Sequence, residues 1–221
     1  MAFFGLSHPI MAKLNVATGV YSDPFKCGKA INTSVTPNHN EVETYADNGL
    51  DESVKEFKNA NVELGVNTIP KKAAEILFGH KIGEDGTETA NINDSGSYVG
   101  YGFIVAEINS GVKKYRGCFL TKVKFKEGAE NYQTKGDSIT FTTPTLSGEA
   151  FGNNVNDWRI KSPEFDTEQK CDEWILEQMG LSEQLETLYD QAGMKLVSVD
   201  KEDADKTGET KGAAAQTTSS K

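Results

Sequence analysis

The chain has 221 residues, with 33 Asp and Glu against 23 Lys and Arg, a formal net charge of −10 and a mean hydropathy of −0.51. A chain of that length suits one domain, or one domain with a tail, buries roughly 70% of its extended surface on folding and needs no disulfide or metal to do so. The acidic balance argues against a surface that grips nucleic acid, because that affinity comes from Lys and Arg displacing counterions from phosphates.

Cys27, Cys118 and Cys171 are odd in number and widely spaced, with no C-x-x-C. That pattern fits neither a secreted disulfide framework nor a zinc site, and the three read as reduced packing residues. The opening MAFFGLSHPIM has no basic n-region, and no stretch approaches the ~20 apolar residues of a spanning helix. A soluble protein made in a cytoplasm is expected.

Residues 1–10 read as an N-terminal arm that runs into a first strand over 9–14. The adjacent Phe3 and Phe4 need cover, either from their own core or from a neighbouring subunit. Residues 15–23 form a turn centred on Thr18-Gly19, and 29–36 a strand closed by Pro37, Asn38 and Asn40. The segment 41–58 is acidic, with Glu41, Glu43, Asp47, Asp51, Glu52 and Glu56 against Lys55 and Lys58. Its few large apolar residues include Val42, Tyr45, Leu50 and Val54, so it reads as a long polar loop, either merely solvated or functional.

Alternation returns at 59–65, where Ala60, Val62 and Leu64 share one face while Asn59, Asn61 and Glu63 share the other. Residues 69–79 predict a helix, with Pro70 in the first turn, Gly79 past the end and Ala73, Ile76 and Leu77 as its apolar stripe. After a turn-rich stretch to Ser97, 98–108 and 113–120 predict a hairpin around Asn109-Ser110-Gly111. Gly100 and Gly102 lack the third glycine and the strand-then-helix setting of a nucleotide fingerprint; they read as points of close approach.

Thr121, Val123 and Phe125 alternate with Lys122, Lys124 and Lys126, a half-buried strand with a lysine row outside. Ile139 and Phe141 alternate with Ser138, Thr140 and Thr142 in a second strand that Pro144 ends or places on an edge. Asp166 with Gln169 three residues on predicts a helix cap, followed by a helix bearing Cys171, Trp174 and Ile175. Ser182 could cap a second helical piece with Leu185, Leu188 and Tyr189, and 196–199 suggest a short strand. From about 201 the composition predicts a flexible tail.

No catalytic constellation emerges. His8, His39 and His80 fall on different elements without ligand spacing, and the chain has no G-x-S-x-G, Walker loop or H-E-x-x-H. No enzyme activity, cofactor or metal is expected.

Several segments carry a resemblance. MAFFGL, YVGYGFI, KVKF, then Tyr132, TKGDSITFTTP and EFDTEQKCDEW are similar, in that order, to the major tail protein of long, non-contractile-tailed phages of Gram-positive bacteria. The similarity covers roughly residues 1–176. It implies a mainly β fold with a few helices: an antiparallel β-sandwich flanked by a helix, the phage tail-tube fold. In that family six copies close a ring, strands of all six complete one lumen-lining barrel, and stacked rings form the tube through which DNA is ejected. The expected organisation is an arm over 1–10, a tail-tube domain over 11–180 and a C-terminal extension over 181–221.

The implied partners are other copies of the chain, the tape measure protein and further tail proteins. DNA would pass without specific binding, no membrane would be engaged, and the place would be the virion tail, assembled in the host cytoplasm. Ring stacking and subunit contacts are expected at Phe3, Phe4, Glu41, Glu43, Tyr45, Asp47, Leu50 and Asp51, with Lys122, Lys124 and Lys126 outside or against a neighbour's carboxylates. The lumen is expected at Asn59, Asn61, Glu63, Ser138, Thr140 and Thr142. Alternative readings are a tube protein of a type VI secretion or related injection machine, or a monomeric β-sandwich binding module exposing aromatics. The few tryptophans, Trp158 and Trp174, read as too helix-associated for the latter.

Overall fold

The computed structural model describes residues 2–46, 49–109, 111–129, 134 and 143–194, with the side chains of residues 2, 44–46 and 49–52 left aside. Among the described residues the fold is mainly β, with one large antiparallel sheet and three α-helices. The elements are β1 (Ala2–Asn15), β2 (Val20–Lys26), β3 (Ala30–Ala46), β4 (Gly49–Val66), α1 (Lys71–Phe78), β5 (Lys81–Ile82), β6 (Glu88–Thr89), β7 (Val99–Asn109), β8 (Val112–Lys126), β9 (Thr145–Phe151), β10 (Arg159–Lys161), α2 (Glu168–Gln178), a 3-10 turn (Ser182–Gln184) and α3 (Leu185–Gln191). The large sheet runs β2-β1-β7-β8-β9-β4-β3, with β5 and β6 forming a separate small ladder.

β8 is the strand that joins the two halves. One edge pairs with β7, while the other pairs first with β10 at Cys118–Leu120 and then with β9 at 122–126. The sheet folds over itself beyond that point, so Ala60, Val62, Leu64, Leu146 and Ala150 pack against Met11, Val99, Tyr101, Leu120 and Val123 in one apolar interior. α1 closes this interior with Ala73 and Leu77; Gly79 ends the helix at φ +85° and donates its N–H to Glu75 O. A left-handed residue is what that close demands, and glycine takes it without steric cost.

The opposite face of β1, β7 and β8 carries a second interior. Ile10, Ala12, Ile104 and Phe119 meet Cys171, Ile175 and Leu176 of α2 and Leu188 of α3. Gly102 makes this contact possible: a Cβ there would lie 2.4 Å from Ile175 Cγ2. Of the two strand glycines that the sequence marks as points of close approach, Gly102 lies under the helix, while a Cβ at Gly100 would meet the Tyr21 ring at 2.7 Å and the Phe119 ring at 3.0 Å.

Several expectations need correction. Residues 1–10 are not a free arm: Ala2–Asn15 is one strand laddered to β7, with Phe3 opposite Glu107 and Phe4 opposite Ala106. Its opening lacks alternation because the backbone is held by the β7 edge, whatever its side chains meet. Pro37, Asn38 and Asn40 do not close β3, which continues to Ala46. Pro37 is tolerated because, among the described residues, β3 is the outermost strand, where one side of the backbone has no ladder to feed.

The described parts of the segment 41–58, residues 41–46 and 49–58, are not loop but the distal strands of a β3–β4 hairpin, paired through Val42–Val54 and on to Ala46–Gly49. The cap of α2 is Thr167, whose side chain accepts from Lys170 N–H; Asp166 is drawn to Lys114 instead, and Gln169 donates to Glu173. Ser182 opens the 3-10 turn without a side-chain cap. Trp158 lies beside β10, not on a helix, and stacks on Phe57 at 4.8 Å. The expected strands over 138–142 and 196–199, and the tail from 201, lie outside the described residues.

Candidate functional site

Three neighbouring surfaces stand out: a flat polar sheet face, a projecting ribbon and an apolar groove. The polar face comes from strict alternation. Leu146, Gly148 and Ala150 of β9 point inward, as do Ala60, Val62 and Leu64 of β4, so Ser147 and Glu149 share the outer face with Asn59, Asn61 and Glu63. Across the ladders, Lys124 stands opposite Glu149, Glu149 opposite Asn61, and Asn61 opposite Thr36.

Side chains on this face are tied to one another. Lys126 Nζ donates to Glu149 Oε1 at 2.8 Å, and Asn59 Nδ2 to Glu149 Oε2 at 3.0 Å. Asn38 Nδ2 donates to Asn59 Oδ1 at 3.0 Å and to Asn61 Oδ1 at 3.1 Å. The Lys126 hydrogen bond, more than any other contact, holds the Glu149 carboxyl below its usual range. Lys122 and Lys124 place their ammonium groups 4.8 and 5.3 Å from the centre of the Tyr98 ring.

This arrangement corrects the sequence reading. The lysine row and the Asn59-Asn61-Glu63 row belong to one face of one sheet, so the one cannot be outside while the other lines a lumen. Within the chain, Lys126 meets the Glu149 carboxylate. Ser138, Thr140 and Thr142, expected on the same surface, lie outside the described residues.

The second surface is the distal hairpin. The last ladder that β4 makes with β9 is Ala60–Ala150. Just beyond it, Phe57 stacks on Trp158 and meets His39 edge-on at 6.2 Å. Further out, residues 40–43 and 53–56 are exposed on both faces. From Phe57 to Gly49 this ribbon extends about 26 Å at ~3.3 Å per residue. On one face Val42 and Val54 stand opposite each other, 65% and 53% exposed, with Glu56 one step along. On the other face Glu41 accepts from Lys55 at 2.8 Å and from Ser53 at 3.1 Å. Tyr45, Leu50 and Asp51 fall on the terminal ladder, where only the backbone is described, and Asp47 lies outside the described residues.

The third surface is a groove of about 560 Å³ at the open end between the two layers. Phe3 and Phe4 of β1, Ile31 and Val35 of β3, and Phe103 and Val105 of β7 line it, with Arg116, Arg159 and Lys161 among its polar residues. Phe3 is 65% exposed and Ile31 52%. Arg116 is already engaged by Glu107 at 3.0 Å and Glu164 at 3.2 Å, whereas Arg159 lies over the Trp158 ring at 4.5 Å.

Elsewhere, polar groups hold the fold together. His8, in a left-handed conformation at φ +50°, meets Asp172 at 2.7 Å, and Tyr189 donates to the same carboxylate at 2.6 Å. This network fastens α2 and α3 to β1, and burial pushes the Tyr189 hydroxyl well above its ordinary range. His80 meets Glu88 at 2.7 Å. Burial pushes the Cys27 thiol up to about 12 and the Cys118 thiol to about 11, which keeps both as inert thiols. All three cysteines are unpaired, and no group of three metal-ligating side chains occurs among the described residues. Nor is any described helix long and apolar enough to cross a membrane.

No protein-family model and no curated protein matches the chain. The functional surfaces therefore rest on geometry. Phe3, Phe4, Glu41, Glu43 and the two rows of the polar face are marked in the sequence itself, whereas Glu149, Arg159 and Lys161, and the pairing of Val42 with Val54, emerge in the fold. The alternation of 145–151 was a usable signal for Glu149; nothing local marks Arg159 and Lys161, which come to the groove only because β10 pairs with β8.

Proposed function

We propose that the chain is a structural subunit that assembles head to tail into the tail tube of a long, non-contractile-tailed phage, as hexameric rings stacked around a DNA conduit. The observation that carries this reading is the distal β3–β4 ribbon. A two-stranded ribbon is marginal in water by itself, and this one holds an exposed valine pair some distance from its own domain. Such a device is most stable when another subunit covers it. β3 and β2 end the sheet, and an outermost strand that finds a partner in the next subunit removes an edge open to uncontrolled pairing.

The polar face of β8, β9, β4 and β3 suits the lumen. It offers three lysines against Glu63 and Glu149, a near balance. Lys126 is committed to Glu149, and Lys122 and Lys124 are held over Tyr98. DNA carries one charge per ~1.7 Å, and ammonium groups engaged this way hold phosphate less tightly than free ones. The tape measure protein and DNA would occupy this channel in turn, and no enzymatic step is required.

Negative-stain electron microscopy of the concentrated protein tests the reading. Rings or hollow tubes are the expected outcome. A chain that stays monomeric even when offered tail tips overturns the tube and returns the fold to a monomeric binding module. For the lumen, Lys122→Gln, Lys124→Gln and Lys126→Gln together should leave tubes intact and alter the DNA ejection rate of reconstituted phage. An unaltered rate places that face outside.

A further inference from the structure

We infer that the groove between β1 and β3 is the seat for the distal ribbon of another copy, with Val42 and Val54 entering beside Phe3, Ile31 and Val35, and Glu56 meeting Arg159 and Lys161. This deepens the assembly reading and rests on it, by naming the surface that receives the ribbon.

Three observations point to this occupant. The first is chemical complementarity. The ribbon face that carries Val42 and Val54 has an apolar centre with the Glu56 carboxylate alongside. The groove has apolar walls, and its charged lining residues among the described ones are Arg116, Arg159 and Lys161, all cationic. Across 40–43 and 53–56 the ribbon has three carboxylates, Glu41, Glu43 and Glu56, against one ammonium, Lys55. Opposite potentials meeting across an interface steer encounter and fix register.

The second is reach. Val35, in the groove wall, and Val42 lie on the same strand, seven residues apart, which at ~3.3 Å per residue is about 23 Å. A strand laddered along that length cannot bend back, so a chain cannot fill its own groove. The contact is therefore between different surfaces of two copies, a heterologous interface that propagates into a ring or a stack.

The third is unmet burial on both sides. Phe3 and Ile31 in the groove, like Val42 and Val54 on the ribbon, are all more than half exposed. Neighbouring exposed apolar groups of this kind mark interaction sites more often than scattered single ones do. One copy supplies the knob and the next the hole, so the same contact covers both.

Charge reversal with rescue tests the pairing. Glu56→Lys alone, and Arg159→Glu with Lys161→Glu, should each raise the concentration needed for assembly by roughly tenfold or more, because like charges then face each other. The three changes combined in one chain should restore assembly, a result that mere damage to the fold would not give. Mixing Val42→Cys protein with Ile31→Cys protein should give a mixed disulfide dimer under mild oxidation, in preference to Val42→Cys with itself. Circular dichroism of each variant monomer establishes that it is folded.

If the wild-type chain forms rings or tubes, yet the reversals assemble normally and the mixed disulfide is absent, the groove is not the seat while the tube reading stands. If the wild-type chain does not associate under any condition, including with tail tips, both readings fall.

Discussion

The β3–β4 hairpin is two different structures along one pair of strands. Its proximal half, around 59–66, has one face against the interior and one in water: Ala60, Val62 and Leu64 are fully buried while Asn61 and Glu63 are exposed. Its distal half has water on both faces at residues 40–43 and 53–56. The backbone ladder is continuous through both, so the difference is one of cover, not of backbone geometry. Strand formation in the proximal half follows from burial; in the distal half it follows from pairing alone. The stability of the two halves should therefore differ sharply in the free subunit and converge on assembly.

Amide hydrogen exchange gives the largest expected contrast. In the monomer, ribbon amides at 40–43 and 53–56 should exchange orders of magnitude faster than those at 60–65, because local opening of the ribbon exposes no core. In tubes the ribbon should become protected. Equal protection of the two halves in the monomer would abolish the distinction.

Mutation should reproduce it in free energy. Leu64→Ala leaves a cavity in the closed interior and should cost about 2–5 kcal/mol in urea unfolding. Val42→Thr should stay within about 0.5 kcal/mol in the monomer, as surface changes do, while weakening assembly. A comparable loss from both would mean that the ribbon is covered within its own chain.

The junction between the halves sets an intermediate scale. Phe57 stacks on Trp158 with the rings 18° from parallel, and such pairs contribute about 0.5–1.5 kcal/mol beyond their area. Trp158→Ala should cost more than that in global stability and should speed proteolysis in the ribbon, read as cleavage sites within 40–56. Cleavage unaltered from the wild type would show that Phe57 does not anchor the ribbon foot.

The smallest effect is the acid response of Glu149. Its folded pKa is depressed, chiefly by the Lys126 hydrogen bond, so its contribution is present above the ordinary glutamate pKa and is lost as pH falls through the lower folded value. The pair is partly solvated, with side-chain exposures of 68% and 33%, and should contribute only a few tenths of a kcal/mol. Lys126→Met should remove this increment at pH 7 and flatten the stability slope below about pH 4.3. An unchanged slope would show that the pair does not bear on folding.

Much of the fold was legible because period and burial coincide. The alternation at 59–65 and 121–126 found strands with a core side. Pro70 and Gly79 bounded α1, and Asn109 and Gly111 marked the β7–β8 turn. Residues 40–43 and 53–56 do not read as strand for the same physical reason that makes them interesting: with no covered face, nothing selects alternating side chains. The N-terminal strand hid likewise, since β7 holds its backbone while Phe3 and Phe4 stay partly exposed. The cap of α2 falls on Thr167, one residue beyond the sequence signal at Asp166, because Asp166 has a better partner, Lys114, that only the fold brings near.

By itself, then, the sequence determined what local periodicity and turn chemistry can encode: strands with an inner face, helix limits, close-approach glycines and buried cysteine thiols. The tertiary structure alone decided which outer rows share a surface. Lys126 and Asn59 meet on Glu149 only because β9 lies between β8 and β4. Arg159 and Lys161 join Phe3 and Ile31 only because β10 pairs with β8 near the mouth between the layers. A strand's alternation fixes which side chains share its own face, but the neighbours across the ladder are set by long-range pairing, which leaves no mark on local spacing.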